Sequence, residues 1–189
     1  MPNLIIDKIS TTAGPLHITQ VGSEDLNRVM ALLNEASHWL ISRGITQWRW
    51  ILTDAGRAVI ATRFETDEMY LVYQGDDPVA TFSLRWQEST MWGGAGNDGQ
   101  AGYLYGFAVA RKLAGQGVGL ELIAWAAGQV AARGKRFLRL DTDAGNAGIC
   151  DYYQRAGFHA CGEAPRAQGG MLQLYEREID ERSWGHDAK

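Results

Sequence analysis

Apolar positions recur along this chain with two periods, and the period changes from element to element. Leu16–Val21 carries the short apolar pattern of a strand. Leu26, Val29, Met30, Leu33, Ser37, Leu40 and Ile41 then follow the i, i+3, i+4, i+7 spacing of a helix with one buried stripe. Ser23 is the expected N-cap of that helix, Glu24 and Asp25 suit its positive end, and Gly44 can stop it. Trp39 falls opposite the stripe and His38 at its edge. An aromatic-rich connection, Ile45–Leu52, leads to a second helix capped by Thr53 or Asp54 and running to Arg63. Met69–Gln74 and Val79–Trp86 read as two strands joined by a turn at Gly75–Pro78.

The stretch Gly93–Gly102 contains five glycines with Asn97 and Asp98, which predicts a mobile loop that packs no core. Leu104–Ala110 is the next strand. It ends in a loop holding Gly115, Gly117 and Gly119, and a helix follows at once. A strand at Phe137–Leu140 and a short helix stopped by Gly157 complete the block. Phe158–Glu163 and Met171–Glu178 are two closing strands. Hairpin strands first and one right-handed βαβ crossover later predict a mixed α/β fold. Its sheet of about seven strands is mostly antiparallel, with one parallel pair, and helices flank it. No repeat or linker interrupts the pattern. The expectation is one domain over residues 1–189, with 1–14 as an N-terminal arm and 180–189 as a tail, both peripheral.

Composition narrows the function classes. The 189 residues suffice for one buried α/β core and are short for two domains. A net charge of −4 argues against broad nucleic-acid binding. No apolar run has transmembrane length. The first residues, MPNLIIDKIS, lack the basic-then-apolar layout of a signal peptide, so a cytoplasmic protein without a membrane partner is expected. Two cysteines, Cys150 and Cys161, are too few for a disulfide framework or a zinc site, and no metal is expected.

The glycine loop carries the chemistry. Glycines opening a helix make an anion site, because backbone N–H groups converge, the positive helix end lies behind them, and no Cβ blocks a phosphate. A Walker-type loop would need Lys and then Ser or Thr after the last glycine, where Leu120 and Glu121 stand. A dinucleotide fingerprint would need a third glycine or alanine where this chain has leucine, although Asp141 lies at a fitting distance for a ribose contact.

A longer pattern extends from the loop. The strand ends Phe107-Ala108-Val109, and the loop runs Ala114-Gly115-Gln116-Gly117-Val118-Gly119. Then come the strand Phe137–Leu140, Asn146, and the helix end Tyr153-Gln154-Arg155-Ala156-Gly157-Phe158. Over about 55 residues this block resembles the GNAT superfamily of N-acetyltransferases. The resemblance implies a GNAT-like sheet whose parallel strands, near Val109 and Leu140, splay at their C-terminal ends. It implies acetyl-CoA as acetyl donor and a primary amine of a small molecule or peptide as acceptor, and it leaves room for a homodimer. Phe107, Ala108 and Val109 are the implied main-chain partners of the pantetheine. The amides of Gln116, Gly117, Val118, Gly119 and Leu120 are implied for the pyrophosphate, with Ala114, Gly115, Asn146 and Tyr153 also near the coenzyme. Two positions depart from the family pattern. Ala114 replaces the usual Arg or Gln, with Arg111 and Lys112 nearby as alternatives. Tyr105 stands where many members place an acidic residue.

Transfer from a thioester to an amine needs a polarised carbonyl, a group that removes the amine proton, and a donor for the leaving thiolate. Tyr153 is the implied acid. It lies two helical turns after Asn146, on the same face. The base is open among Glu88, Asp98, Tyr105, Asp141, Asp143 and a chain of waters. Each carboxylate also has a plain structural reading: Glu88 as a strand-end surface charge, Asp98 as part of the mobile loop, Asp141 and Asp143 as partners of the following turn. Cys150 fits a small buried thiol better than a reactive one. His38, Trp39, Trp48 and Trp50 surround the first helix–helix connection, where the resemblance implies the acceptor, and aromatic faces suit an amine. They equally suit a satellite core. A non-catalytic module that binds acyl-CoA and a nucleotide-binding oxidoreductase are the competing functions.

Overall fold

The computed structural model describes residues 5–88, 91–96, 98–166 and 169–179; positions 1–4 and the 180–189 tail lie outside them. The strands are β1 (Ile5–Thr11), β2 (Gly14–Val21), β3 (Glu68–Gln74), β4 (Asp77–Arg85), β5 (Ala101–Val109), β6 (Phe137–Asp143), β7 (His159–Pro165) and β8 (Met171–Glu178). The helices are α1 (Leu26–Ser42), α2 (Asp54–Thr66), α3 (Gly93–Gly96), α4 (Val118–Ala132) and α5 (Ala147–Arg155). In order of hydrogen-bonded neighbours the strands run β1-β2-β3-β4-β5-β6-β8-β7. β5 and β6 pair in parallel over Ala101–Tyr103 and Phe137–Arg139. The ladders β1–β2, β2–β3, β3–β4, β6–β8 and β7–β8 are antiparallel. The expected mixed, mostly antiparallel sheet is therefore present, with eight strands among the described residues. The additional one, β1, falls inside the expected N-terminal arm. Its isoleucines Ile5 and Ile6 are exposed, as befits an edge strand.

The described residues gather into two compact units. One combines the chain up to Arg85 with Tyr105–Glu121; the other combines Trp86–Leu104 with the residues from Leu122 onward.

In the first unit, β3 and β4 are covered on both faces. Tyr70 stacks on Phe82 with ring centroids 5.0 Å apart. Leu71, Val72, Val79 and Leu84 are fully buried, each contributing about 2 kcal/mol by removal from water. Helix α1 buries Val29, Met30, Leu33 and Ser37 from the expected stripe, plus Leu32, while Ile41 is exposed. Ser23 is not its cap. A 3-10 turn, Ser23–Asp25, forms first, so α1 begins at Leu26, and no side chain caps it. Gly44, at φ +77°, follows the helix as expected. Thr53 caps α2 by accepting the Gly56 N–H at 3.0 Å.

In the second unit, the glycine-rich stretch departs from its expected role. Residues 93–96 form the short helix α3, and Ala101 and Gly102 belong to β5. A Cβ on Gly102 would lie 2.7 Å from the Trp86 ring and 2.7 Å from Val130. Glycine is needed there for close packing, not for mobility. Trp92, just before α3, is buried against Tyr103, with centroids 5.7 Å apart. Arg139 of β6 ties the stretch down. It donates to Ala95 O at 2.6 Å, to Asp98 at 2.9 and 3.3 Å, to Glu176 at 2.6 Å and to the Tyr103 hydroxyl at 3.0 Å.

Candidate active site

Strand β5 leads into the glycine loop in the first unit. Mid-strand Gly106 takes φ +57°, a conformation that other residues rarely hold. The Ala110 N–H donates to Val79 O at 2.8 Å, and a 3-10 turn, Arg111–Leu113, follows. That turn is anchored from α1: the Glu35 carboxylate accepts the Arg111 N–H at 2.8 Å, and Leu113 is buried. Gly115 and Gly117 then take φ +76° and +74°, and α4 starts at Val118. The Gln116 N–H is used by Leu113 O, and the Leu120 and Glu121 N–H groups by Gly117 O. Among the described residues, the N–H groups of Gly115, Gly117, Val118 and Gly119 donate to no protein acceptor. Four unspent donors on two left-handed glycines and a helix N-terminus fit the oxygens of a phosphate. Of the loop residues expected around the pyrophosphate, Gln116 and Leu120 have their amides engaged inside the protein.

Neither basic residue near Ala114 is idle. The Arg111 guanidinium lies 3.9 Å from the centre of the Trp39 ring, with Arg43 at 5.4 Å from the same ring. Lys112 pairs with Asp77 of the β3–β4 hairpin. Trp39, expected near the acceptor, packs against Arg43 at the end of α1 and against Arg111 in the turn before the loop. Trp48 and Trp50 are half-buried, and His38 is exposed. Their main chains brace the connection: Ser37 Oγ donates to Trp48 O at 3.1 Å and Thr53 Oγ1 to Trp50 O at 2.7 Å. Tyr105, also in this unit, carries Arg85 at 4.9 Å and Arg63 at 5.4 Å from its ring centre. Arg85 forks onto Asp67 at 2.7 and 3.3 Å, and that carboxylate also accepts from Ser83 and Thr66. Phe107 stands edge-on to Phe82 at 6.2 Å. Ala108 is buried.

The second unit holds the helix that bears Asn146 and Tyr153. Asn146 caps α5, its side chain accepting the Ile149 N–H at 3.3 Å. Tyr153 is buried among Tyr152, Phe158 and Tyr175, at ring distances of 5.4, 5.7 and 6.1 Å. Burial, and then the nearby Tyr152 and Asp141, push the Tyr153 hydroxyl well above its ordinary value. A phenol so placed keeps its proton near neutral pH, so it is able to donate it. Asp141 and Tyr153 are thereby brought into electrostatic reach. Cys150 is half-buried, its thiol 3.7 Å from Asp143 O, as expected of a packing thiol.

The base candidates divide. Burial opposes the Asp98 charge, but Arg139, the Gln100 N–H and Lys135 prevail and hold its carboxyl below the usual range. Asp143 pairs with Arg166 and accepts the Gly145 N–H at 2.9 Å, the turn role expected of it. Glu88 is not the surface charge the sequence suggests, being only 5% exposed. Asp141 is half-buried on β6, in register with Leu174 of β8. The sequence signal for Arg139 is a charge inside the apolar run Phe137–Leu140. Thr12 and Glu35, which touch the loop from distant segments, carry no local signal.

Comparisons with known proteins agree with this fold. An N-acetyltransferase of Bacillus subtilis strain 168, the uncharacterized YesJ, is 29% identical over 161 residues, covering 82% of this chain and 86% of its own. The structure of a GNAT-family acetyltransferase from Listeria monocytogenes 4b F2365 superposes with TM-score 0.74 at 24% identity, covering 92% of this chain and 100% of that one. A GNAT-family acetyltransferase from Elizabethkingia anophelis, with acetyl-CoA bound, gives TM-score 0.56 at 17% identity over 68% of this chain and 87% of that one. The model of the acetyltransferase (GNAT) family matches residues 37–158, from α1 through the glycine loop to the end of the Tyr153 helix, and the chain therefore belongs to that family.

Proposed function

We propose that this chain is an N-acetyltransferase that moves the acetyl group of acetyl-CoA directly to a primary amine of a small molecule or peptide, all 189 residues serving as one acetyltransferase domain. The family uses acetyl-CoA as its donor. The observation that carries the reading here is the set of four unspent N–H groups at Gly115, Gly117, Val118 and Gly119, which suits the coenzyme's pyrophosphate. The main chain of Phe107–Val109 is the proposed partner of the pantetheine and the thioester carbonyl.

In the reaction the amine nitrogen attacks the thioester carbon. The new C–N bond forms, the C–S bond breaks, and the sulfur leaves with the electron pair. One proton goes from the amine to a base and one from an acid to the thiolate. Tyr153 is the proposed acid, since burial keeps its hydroxyl protonated. With Asp98 and Asp143 held by Arg139 and Arg166, the groups proposed for base or acceptor contacts are Glu88, Asp141 and Tyr105. Trp48 and Trp50 are the aromatic faces proposed for the acceptor. Trp39 is assigned instead to supporting the loop through Arg111.

The test is thiol release from acetyl-CoA with a panel of small amines and amino-terminal peptides. Amine-dependent release supports the proposal. Tight coenzyme A binding without release from any amine supports a non-catalytic acyl-CoA module instead.

A further inference from the structure

Thr12 stands at the tip of the β1–β2 hairpin, in a two-residue turn closed by the pair Thr11–Gly14. The tip is fixed from two sides. Thr11 Oγ1 donates to Gly14 O at 2.8 Å and accepts the Ala13 N–H at 3.1 Å. From β3, Gln74 Nε2 donates to Ala13 O at 2.6 Å. On this mount the Thr12 hydroxyl donates to the main-chain oxygen of Gln116, 104 positions away. The Gln116 side chain adds a second brace, its Nε2 donating to Lys112 O at 3.0 Å.

Peptide geometry turns that contact into an orientation. In a trans peptide the C=O and the following N–H point in opposite directions, and the described chain has no cis bond. With the Gln116 oxygen drawn to Thr12, the Gly117 N–H is aimed away from the hairpin tip. That N–H is one of the four without a protein acceptor. A glycine at φ +74° is followed and preceded by peptides that turn easily, so an outside partner decides how the Gln116–Gly117 plane stands. Ala114 offers no side-chain donor, which leaves more of the binding to backbone orientation.

We propose that Thr12 is a positioning residue for the coenzyme: its hydroxyl sets the Gln116–Gly117 peptide so that the Gly117 N–H faces the pyrophosphate. This rests on the proposed role of the loop in holding coenzyme A. In this role Thr12 acts through the Gln116–Gly117 peptide, and being exposed it has little part in the core.

The experiment compares wild type, Thr12→Val, Thr12→Ser and Gly117→Val by calorimetry with coenzyme A and with dephospho-coenzyme A. The unliganded melting temperatures are measured alongside. Thr12→Val keeps the shape and removes the donor. It should weaken both ligands by the same factor, roughly three- to tenfold, as expected for one lost hydrogen bond's worth of orientation. The unliganded melting temperature should stay at the wild-type value, and Thr12→Ser should restore binding. Equal loss for the two ligands places the effect at the pyrophosphate and not at the 3′-phosphate. Wild-type affinity in Thr12→Val, with Gly117→Val defective, would overturn the role of Thr12 and leave the coenzyme site standing. A weakened Thr12→Val that also melts early and is not rescued by serine would overturn it as well, marking Thr12 as structural. A wild-type chain that binds neither ligand would overturn the coenzyme reading and this inference together.

Discussion

The Asp98 carboxylate lies across the Arg139 guanidinium, with contacts of 2.9 and 3.3 Å, and joins the glycine-rich stretch to β6. Arg139 is almost fully buried. Burial works against its charge, but Asp98, Tyr103 and Glu176 outweigh that and hold the guanidinium firmly protonated. Removing the arginine strands two carboxylates beside apolar rings. Arg139→Met should therefore lose about 3 kcal/mol of stability in urea unfolding, with residues near Ala95 gaining amide exchange first.

The same pair gives a pH signature. The Asp98 carboxyl is held below its ordinary value of about 3.9. A depressed carboxyl adds stability that is complete above that ordinary value and is lost as pH falls toward the folded one. Asp98→Asn lacks this contribution at every pH. The stability difference between about pH 7 and pH 3 should be smaller in the variant than in wild type. An unchanged difference would mean that Arg139 gains nothing from this partner.

Gly117 is predicted to be replaceable only at a loss that coenzyme binding reports. A Cβ there would meet nothing closer than Thr12 Oγ1 at 3.8 Å, so the obstacle is the positive φ and not space. Gly117→Ala should lose about 1 kcal/mol of stability from backbone strain. Gly117→Val adds a branched side chain to a left-handed position, so the backbone must shift the N–H groups proposed for phosphate, and it should weaken coenzyme A by more than tenfold, on the order of 2 kcal/mol, in calorimetry.

For Tyr153, removal of the hydroxyl is predicted to separate binding from turnover. Tyr153→Phe keeps the ring contacts with Phe158 and Tyr175. Turnover should fall on the order of 10²-fold while the coenzyme A Kd stays put, because the lost interaction belongs to the departing thiolate. Since burial holds the hydroxyl above its ordinary value of about 10, wild-type kcat should show no decline from this group between about pH 7 and pH 10. Full activity in Tyr153→Phe, with chemistry limiting, would leave the tyrosine as packing.

The tryptophans should split into two kinetic classes. Trp39→Ala removes the face under Arg111 and should raise the acetyl-CoA KM about two- to fivefold, the size of one cation–π contact. Trp48→Ala and Trp50→Ala should instead raise the acceptor KM. Parallel changes in both constants for all three would dissolve the distinction.

Periodicity and turn chemistry made most strands and helices readable, and the span from Phe107 to Phe158 made the family resemblance readable, because those signals are local. What escaped was non-local. The Ile5–Thr11 strand exposes its leading isoleucines at a sheet edge, so no buried alternation marks it. The Gly93–Gly102 composition suggests slackness, yet Arg139 reaches it from 41 positions away and Gly102 is pinned by Trp86. Ser23 has good capping chemistry, but the 3-10 turn shifts the helix start past it. The acceptor residues were the least legible. Trp39 satisfies the pattern of a substrate wall and of a support for Arg111 equally well until distances are known.

Two-residue hairpin tips are ordinarily where a chain tolerates inserted tags, epitope loops and circular-permutation breaks. The Thr12–Ala13 tip is a poor place for any of them. Lengthening it would separate Thr12 from Gln116 O and Ala13 O from Gln74 in one stroke. A fusion joined ahead of β1 leaves both contacts in place, whereas one spliced between Thr12 and Ala13 would cost the loop its mooring while sparing the core.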